Sequence, residues 1–347
     1  MIGIICVIDL EYIPYLEKYR KLLEKSGEDY EVLFWKRESL QKEYDFKTVP
    51  FELNTPLNKK KKEKIGGFIK YRKFLLKTLK QRKYDKLIVL STLAGVIIGD
   101  YLVRNYKDRY VFDIRDYSYE KYWLFRMAEK RVIDSSSFTA LSSLGFKNFL
   151  PKSDKYIICH NFLESEINEN YVFVKKKELP LELTFIGAVR HFEMDKQIVE
   201  VFSGDDRFKV VYHGFGASYN KLKDFASDKS VLLTGRYQKG DKPHILAEAN
   251  IINSFYERNL TNEHSMANKF YDAAIYKIPL WANPETYMGK LAIEKGIGLD
   301  CGLDPDKMYE EYEKLDADKF TASCSSLLEE VLSDEKKFIE AVNKFIK

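Results

Sequence analysis

The sequence predicts an α/β protein of two successive Rossmann-like domains, each built on a parallel sheet, facing a central cleft. Three observations carry this. The chain has 347 residues, more than one ordinary core holds. Short apolar runs alternate with helical periodicity in both halves, the pattern of βαβ units. A polar, charged, non-periodic stretch, 164–180, separates the two sets. The expected organisation is a first domain over 1–163, a linker over 164–180, a second domain over 181–330, and a C-terminal helix over 331–347 that packs back on the first domain.

The elements follow in order. Ile2–Ile8 is nearly continuous in apolar residues, as in a strand covered on both faces. Pro14–Ser26 reads as a helix stopped by Gly27, and Tyr30–Trp35 as a second strand. Phe46–Lys62 matches no regular period and is assigned to a loop. Ile65, Phe68, Ile69, Leu75, Leu76 and Leu79 then recur at helical spacing among Lys and Arg, giving a basic amphipathic helix. Strands follow at Lys86–Leu90, Tyr110–Ile114, Phe138–Leu141 and Ile157–Cys159. Helices follow at Ala94–Asn105, about Tyr119 to Ile133, and from Ser143. The second half repeats the alternation. Its strands are Thr184–Gly187, Lys209–Tyr212, Val231–Leu233, Ile251–Phe255, Pro279–Ala282 and Ile297–Leu299. Its helices include Ser265–Tyr276 and Glu285–Lys295, and the chain is helical from Pro305 onward.

Composition narrows the function classes. A 45% hydrophobic and 32% charged balance is globular. The formal net charge of +4 gives no chain-wide polyanion character, so nucleic acid is not an expected partner. Locally, twelve Lys and Arg against one Glu lie between Lys59 and Lys83. The four cysteines show no CxxC spacing, which fits a reducing compartment. The N-terminus lacks a basic n-region, and no apolar run reaches the roughly 18 residues of a membrane span. A cytoplasmic protein is expected, in contact with membrane from the side if at all.

In open α/β sheets ligands sit beyond the carboxyl ends of the strands, so the informative residues come just after strands. Gly187 ends a strand and Arg190 follows, which suits close approach of a ligand backbone and a guanidinium on phosphate; a plain turn with a surface arginine explains the same residues. His264, Asn268 and Asp272 fall four apart and share one helical face, with Lys269 beside Asp272. The amino end of such a helix attracts phosphate, and a carboxylate nearby can hold ribose hydroxyls; a capped surface stripe is the alternative. Asp113-Ile114-Arg115-Asp116 follows a strand in the first half. Asp116 is a candidate base or electrostatic stabiliser there, or one member of a structural ion pair with Arg115 or Lys121. No HExxH, GxSxG, Walker A or GxGxxG string occurs, and His213-Gly214-Phe215-Gly216 holds only two of the three fingerprint glycines.

The segments YDKLIVLSTLAG, VFDIRD, VIDSSSFTALSSLGFKNFL and IICHNF in the first half, and FIGAVR, VVYHGFG, VLLTGRY, ANIINSFY and ANKFYDAAIYKIPLWAN in the second, resemble GT-B glycosyltransferases of the retaining group often called family 4. The last segment is similar to the family's "KLyEYla-x-gkPvia" run. The resemblance implies a nucleotide-sugar donor held by the second domain. Gly187 lies on the donor side. Arg190 and Lys269 would neutralise the diphosphate, Asp272 would stand for the ribose-binding glutamate, and Asn268 would lie near the donor. His264 occupies the position of the first glutamate of the family's Glu-x7-Glu pair, a departure from the pattern. The role of the family's first-domain loop histidine passes to Asp116. The reaction implied is retaining and metal-independent, with no cofactor, and serves a glycan or lipid-linked acceptor of bacterial capsule, exopolysaccharide or O-antigen assembly. The basic helix, with Lys70, Arg72, Lys73 and Lys77, would face that acceptor and anionic lipid. Two other readings stay open: a sugar-nucleotide epimerase on the same fold, and a non-catalytic GT-B subunit that binds a glycan or partner.

Overall fold

The computed structural model describes residues 1–37, 43–54, 61–162, 164–176 and 178–347. Lys59 and Lys60 of the basic run, and the predicted boundary at Leu163, lie outside the described residues. The chain divides into two units, Met1–His160 with Ser333–Lys347, and Asn161–Leu332.

In the first unit the elements are β1 (Ile2–Cys6), α1 (Leu16–Lys25), β2 (Tyr30–Lys36), β3 (Thr48–Glu52), α2 (Lys61–Arg82), β4 (Lys86–Leu90), α3 (Thr92–Ile97), α4 (Gly99–Asn105), β5 (Tyr110–Ile114), α5 (Trp123–Ser135), β6 (Phe138–Leu141) and β7 (Tyr156–Ile158). Among the described residues they form a seven-stranded parallel sheet in the order β3-β2-β1-β4-β5-β6-β7. The order reverses between β1 and β4, the switch point of a doubly wound sheet. β1 and β5 are buried at every position, which is why they read as largely apolar runs, β5 interrupted by Asp113.

The predicted loop over Phe46–Lys62 contains the edge strand β3. It is half exposed, and its Pro50 is tolerated because an edge position leaves one side unpaired. The predicted helix Ala94–Asn105 is broken at Ile98 into α3 and α4. Tyr71, Leu75 and Leu79 of α2 are buried against the sheet, and Gly67 lets the helix lie on Trp35, where an added Cβ would come within 2.4 Å of the ring.

In the second unit β8 (Leu181–Ile186), α6 (Phe192–Phe202), β9 (Phe208–His213), α7 (Tyr219–Phe225), β10 (Val231–Gly235), α8 (Lys242–Glu248), β11 (Ile251–Ser254), α9 (Asn268–Tyr276), β12 (Leu280–Ala282), α10 (Tyr287–Glu294) and α11 (Pro305–Lys314) follow. Among the described residues the sheet order is β10-β9-β8-β11-β12, all parallel, with its switch point between β8 and β11. Trp281 is fully buried between Phe202 and Phe255, each ring 5.0 Å away. The predicted strand Ile297–Leu299 is only a single bridge, Gly298 to Leu280. Residues 164–176, predicted as a linker, lie within this unit, where Phe173 is buried against Tyr312 and Phe320.

The last helix, α12 (Ala317–Ile346), starts in the second unit and ends in the first. Phe338, Val342, Phe345 and Ile346 join the first unit's core beside Tyr19 and Phe138.

Candidate functional site

The second unit concentrates polar chemistry at its switch point. Gly187 follows β8 directly, and its φ of +138° strains any other residue. Gly214, just after β9, packs so close that an added Cβ would lie 1.7 Å from the Gly187 carbonyl oxygen. Gly216 meets the Val189 backbone in the same way, at 2.3 Å. The two glycines of His213–Gly216 therefore seat the Gly187–Val189 turn rather than cradle a dinucleotide.

Lys269, in the first turn of α9, reaches this turn. It is only 4% exposed. Its Nζ donates to the Tyr256 hydroxyl, lies 3.6 Å from the centre of the Phe185 ring, and stands 4.0 Å from where a Gly187 Cβ would be. The ammonium is thus held by aromatic faces and one hydroxyl, with no carboxylate paired to it among the described residues. Cation–π contact stabilises such a charge by about 1–2 kcal/mol, less than an ion pair with a bound anion would. Arg190 is exposed on the same turn and makes no ion pair or hydrogen bond among the described residues. His191 follows, 3.4 Å from Glu257 through Nδ1 and 5.2 Å from the Tyr256 ring.

Asp195, in the first turn of α6, is buried and accepts from the Tyr212 hydroxyl at 3.2 Å. Burial pushes its carboxyl up to about 6, against the lowering effects of Tyr212, His191 and Lys269. Nothing in the sequence marked Asp195, because its place beside Lys269 depends on the sheet order.

Asp272 lies one turn after Lys269 and is buried. Its Oδ1 accepts from Lys242 Nζ at 2.7 Å, and the same ammonium reaches Glu166 at 2.5 Å. Burial raises the Asp272 carboxyl, and Lys242 opposes the rise. Oδ2 has no hydrogen-bond partner among the described residues, which leaves one carboxylate oxygen open. Neither Lys242 nor Glu166 was legible as a site residue.

The stripe of His264, Asn268 and Asp272 does not form. α9 starts at Asn268, and His264 sits in the preceding turn, its main-chain N–H on Thr261. Asn268 is exposed and accepts from Asn161 Nδ2 at 2.6 Å. The predicted start at Ser265 fails because Ala267, at the N-cap, offers no side-chain acceptor and the chain is extended there.

In the first unit, Asp113 and Arg115 form a buried pair, and Asp116 is exposed beyond it. Asp113, two residues before Arg115, is its buried carboxylate partner. Ser91, ending β4 at the switch point, adopts φ +96°, a strained conformation for a non-glycine residue. On α2, Arg72 is committed to Asp100 through two 2.9 Å bonds, so it is not available to a ligand as predicted. Lys70, Lys73 and Lys77 are exposed and unpaired among the described residues. Tyr71, Leu75 and Leu79 of this helix are spent on the core, and among its described apolar side chains only Ile65 and Ile69 stay exposed. A different exposed apolar cluster, Tyr122, Trp123, Leu124 and Met127, surrounds the start of α5 among Lys121, Arg126 and Lys130.

Among the described residues no group of three His, Cys, Asp or Glu side chains is placed to hold a metal ion, and no helix is long and apolar enough to cross a membrane.

The likeness of this chain to known proteins is one of structure and not of sequence. No family model and no curated sequence matches it. Solved structures do. A glycosyltransferase from Rickettsia africae superposes with a TM-score of 0.68 at 10% identity, covering 99% of this chain and 98% of that one. HepE from Anabaena, solved in complex with UDP, gives 0.67 at 10% identity, covering 99% and 100%. A putative UDP-N-acetylglucosamine 2-epimerase from Listeria monocytogenes gives 0.58 at 11%, covering 96% and 97%. The fold is that of the GT-B glycosyltransferases: two parallel-sheet Rossmann-like units in one chain.

Proposed function

We propose that this protein is a glycosyltransferase that moves a sugar from a nucleotide-sugar donor, held by the second unit, to a glycan acceptor taken by the first. The observation that carries the reading is Lys269. A buried ammonium that makes no ion pair among the described residues, set against a glycine turn at the switch point of a Rossmann-like sheet, suits an anion arriving from outside. Arg190, exposed and unpaired on the same turn, adds a second cation. Asp272, with one oxygen on Lys242 and one open, suits ribose hydroxyls. Asn268 and His264 flank the donor without sharing the helical face expected of them.

The reading extends to chemistry and place. Asp116, exposed after β5, acts on the acceptor side, and the diphosphate leaves against Lys269 and Arg190 without a metal, with retention. The acceptor is lipid-linked, in the assembly of a bacterial surface polysaccharide. The protein works at the cytoplasmic face, touching anionic membrane through Trp123 and its apolar neighbours. A thermal-shift panel of UDP, GDP and other nucleotides, followed by turnover with the matching nucleotide-sugars and lipid-linked acceptors, tests it; a folded protein that binds no nucleotide ends the reading. The Listeria neighbour keeps epimerisation as the second reading, distinguished by conversion of a nucleotide-sugar with no acceptor present.

A further inference from the structure

Arg37 follows β2 directly and is 4% exposed. Its guanidinium carbon lies 4.2 Å from the centre of the Trp35 ring and 5.3 Å from that of Phe68 on α2. Asp9, after β1, accepts the Arg37 main-chain N–H on both oxygens, at 3.2 and 3.1 Å. Among the described residues no carboxylate pairs with this guanidinium and no carbonyl accepts from it. Of its three nitrogens Nε alone is fully enclosed, and it has no partner; the Nη end reaches solvent.

An arginine in this state is expensive. Burial presses against its charge, with the charge of Asp9 giving partial relief. Aromatic faces recover part of the cost, but they leave the enclosed Nε–H unanswered and the four Nη–H donors facing the solvent side of the fork. Tyr119, in the loop after β5, and Asp9 place Arg37 among the loops at the carboxyl ends of the strands, where a doubly wound sheet takes its ligand. The exposed Lys70, Lys73 and Lys77 of the same α2 raise the local concentration of anions.

We propose that Arg37 is a binding residue for an oxyanion, a phosphate or carboxylate group borne by the acceptor. This rests on the reading that the first unit takes the acceptor, and it makes that acceptor anionic. The planar fork fits two oxygens of either group, and the Trp35 ring beneath fixes its plane.

The test uses the full chain with Lys269→Met, which removes the proposed donor-diphosphate cation of the second unit. Inorganic phosphate and glucuronate are titrated separately by calorimetry and tryptophan fluorescence, since Trp35 lies against the guanidinium. Saturable binding of either one is expected, weakened about tenfold or more by adding Arg37→Met and less by Arg37→Lys. Phosphate alone identifies a phosphorylated acceptor, and glucuronate alone an acidic sugar. The melting temperature should hold or rise in Arg37→Met, because an unanswered charge gives way to an apolar side chain of similar length. Binding of neither anion, or affinity unchanged in Arg37→Met, overturns the proposal. So does a lower melting temperature in both variants with affinity retained. A parallel UDP titration of the wild type keeps the two ideas apart: phosphate bound through Arg37 without UDP binding removes the donor reading alone, and the reverse removes this site alone.

Discussion

Arg115 forks onto Asp113, two residues earlier in the same β5 segment, and both are buried. The Arg115 Nη2 to Asp113 Oδ2 bond is 2.7 Å, Tyr19 donates to the same oxygen at 2.6 Å, and Arg115 also reaches the Cys159 carbonyl at 2.9 Å. A cation, a phenol and a carboxylate thus tie β5 to α1 and to the chain after β7. The charges beside Asp116 serve the scaffold, while Asp116 itself is left exposed at the strand's end.

Arg115→Met should therefore destabilise the protein by about 3 kcal/mol or more, because Asp113 is left as an uncompensated buried charge. Asp116→Asn should leave the denaturation midpoint unchanged and lower turnover by about a hundredfold or more. Urea titrations and single-turnover assays measure the two effects. An unfolded Asp116→Asn protein would show that the exposed carboxylate is structural after all.

At the proposed donor site, Lys269→Met and Arg190→Ala should each weaken nucleotide-sugar binding by about ten- to a hundredfold. Lys269 is buried, so methionine, which keeps its length, is the informative replacement there; alanine would add a cavity. Calorimetry with the nucleotide found in the thermal-shift panel gives the affinities. Two variants that both bind donor as wild type does would reject the diphosphate assignment.

Lys242 is the sole bridge between Asp272 and Glu166 among the described residues. Lys242→Met should cost about 2 kcal/mol at pH 7, below the value for a fully enclosed pair because the lysine keeps some exposure. Adding Asp272→Asn should restore part of that loss, since the stranded charge is removed. A double-mutant cycle in urea provides the coupling; additive losses would mean the pair does not stabilise the fold.

Glu129 is buried beside Glu120, and burial first, then the neighbouring carboxylate, push it up to about 9. Its two oxygens meet no donor, so a proton held between the two carboxyls supplies the missing bond. The folded protein keeps that proton where the unfolded chain has lost it. Stability should accordingly fall as pH rises from about 5 towards 9. Glu129→Gln should flatten this slope in melting curves taken across the window, and a slope unchanged by the substitution would assign it to other groups.

Trp123 and Leu124 are 61% and 63% exposed, beside Lys121 and Arg126. If this surface meets membrane, Trp123→Ser with Leu124→Ser should reduce flotation with phosphatidylglycerol vesicles about tenfold or more and leave the melting temperature alone. Equal flotation of both proteins would send the membrane contact elsewhere on the chain.

The βα alternation was legible where strands are covered on both faces. Lys86–Leu90, Tyr110–Ile114 and Phe138–Leu141 are read at their observed bounds, because double burial makes each run largely apolar, with Asp113 and Thr139 as buried exceptions. β3 was illegible for the opposite reason, as an edge strand with a proline has neither the run nor the alternation. Ile297–Leu299 misled because it pairs with β12 at Leu280 alone, too short a ladder for a strand, yet carries the same apolar signature. Of the candidate site, Gly187 and Arg190 could be picked out from their places after a strand, and Lys269 from its helical spacing to Asp272 and the family resemblance. Asp195, Lys242, Glu166 and Arg37 could not, since each takes its meaning from a neighbour distant in sequence that only the sheet order supplies.

The course of α12 bears on the order in which the protein can fold as it is made. The first unit has all its strands once His160 has left the ribosome, yet one side of its core is closed by Phe338, Val342, Phe345 and Ile346. Until those residues emerge, Tyr19 and Phe138 lack their aromatic partners, and the nascent first unit presents an apolar face to whatever surrounds it. The second unit, whose residues run unbroken from Asn161 to Leu332, can finish its core earlier, although its synthesis starts later.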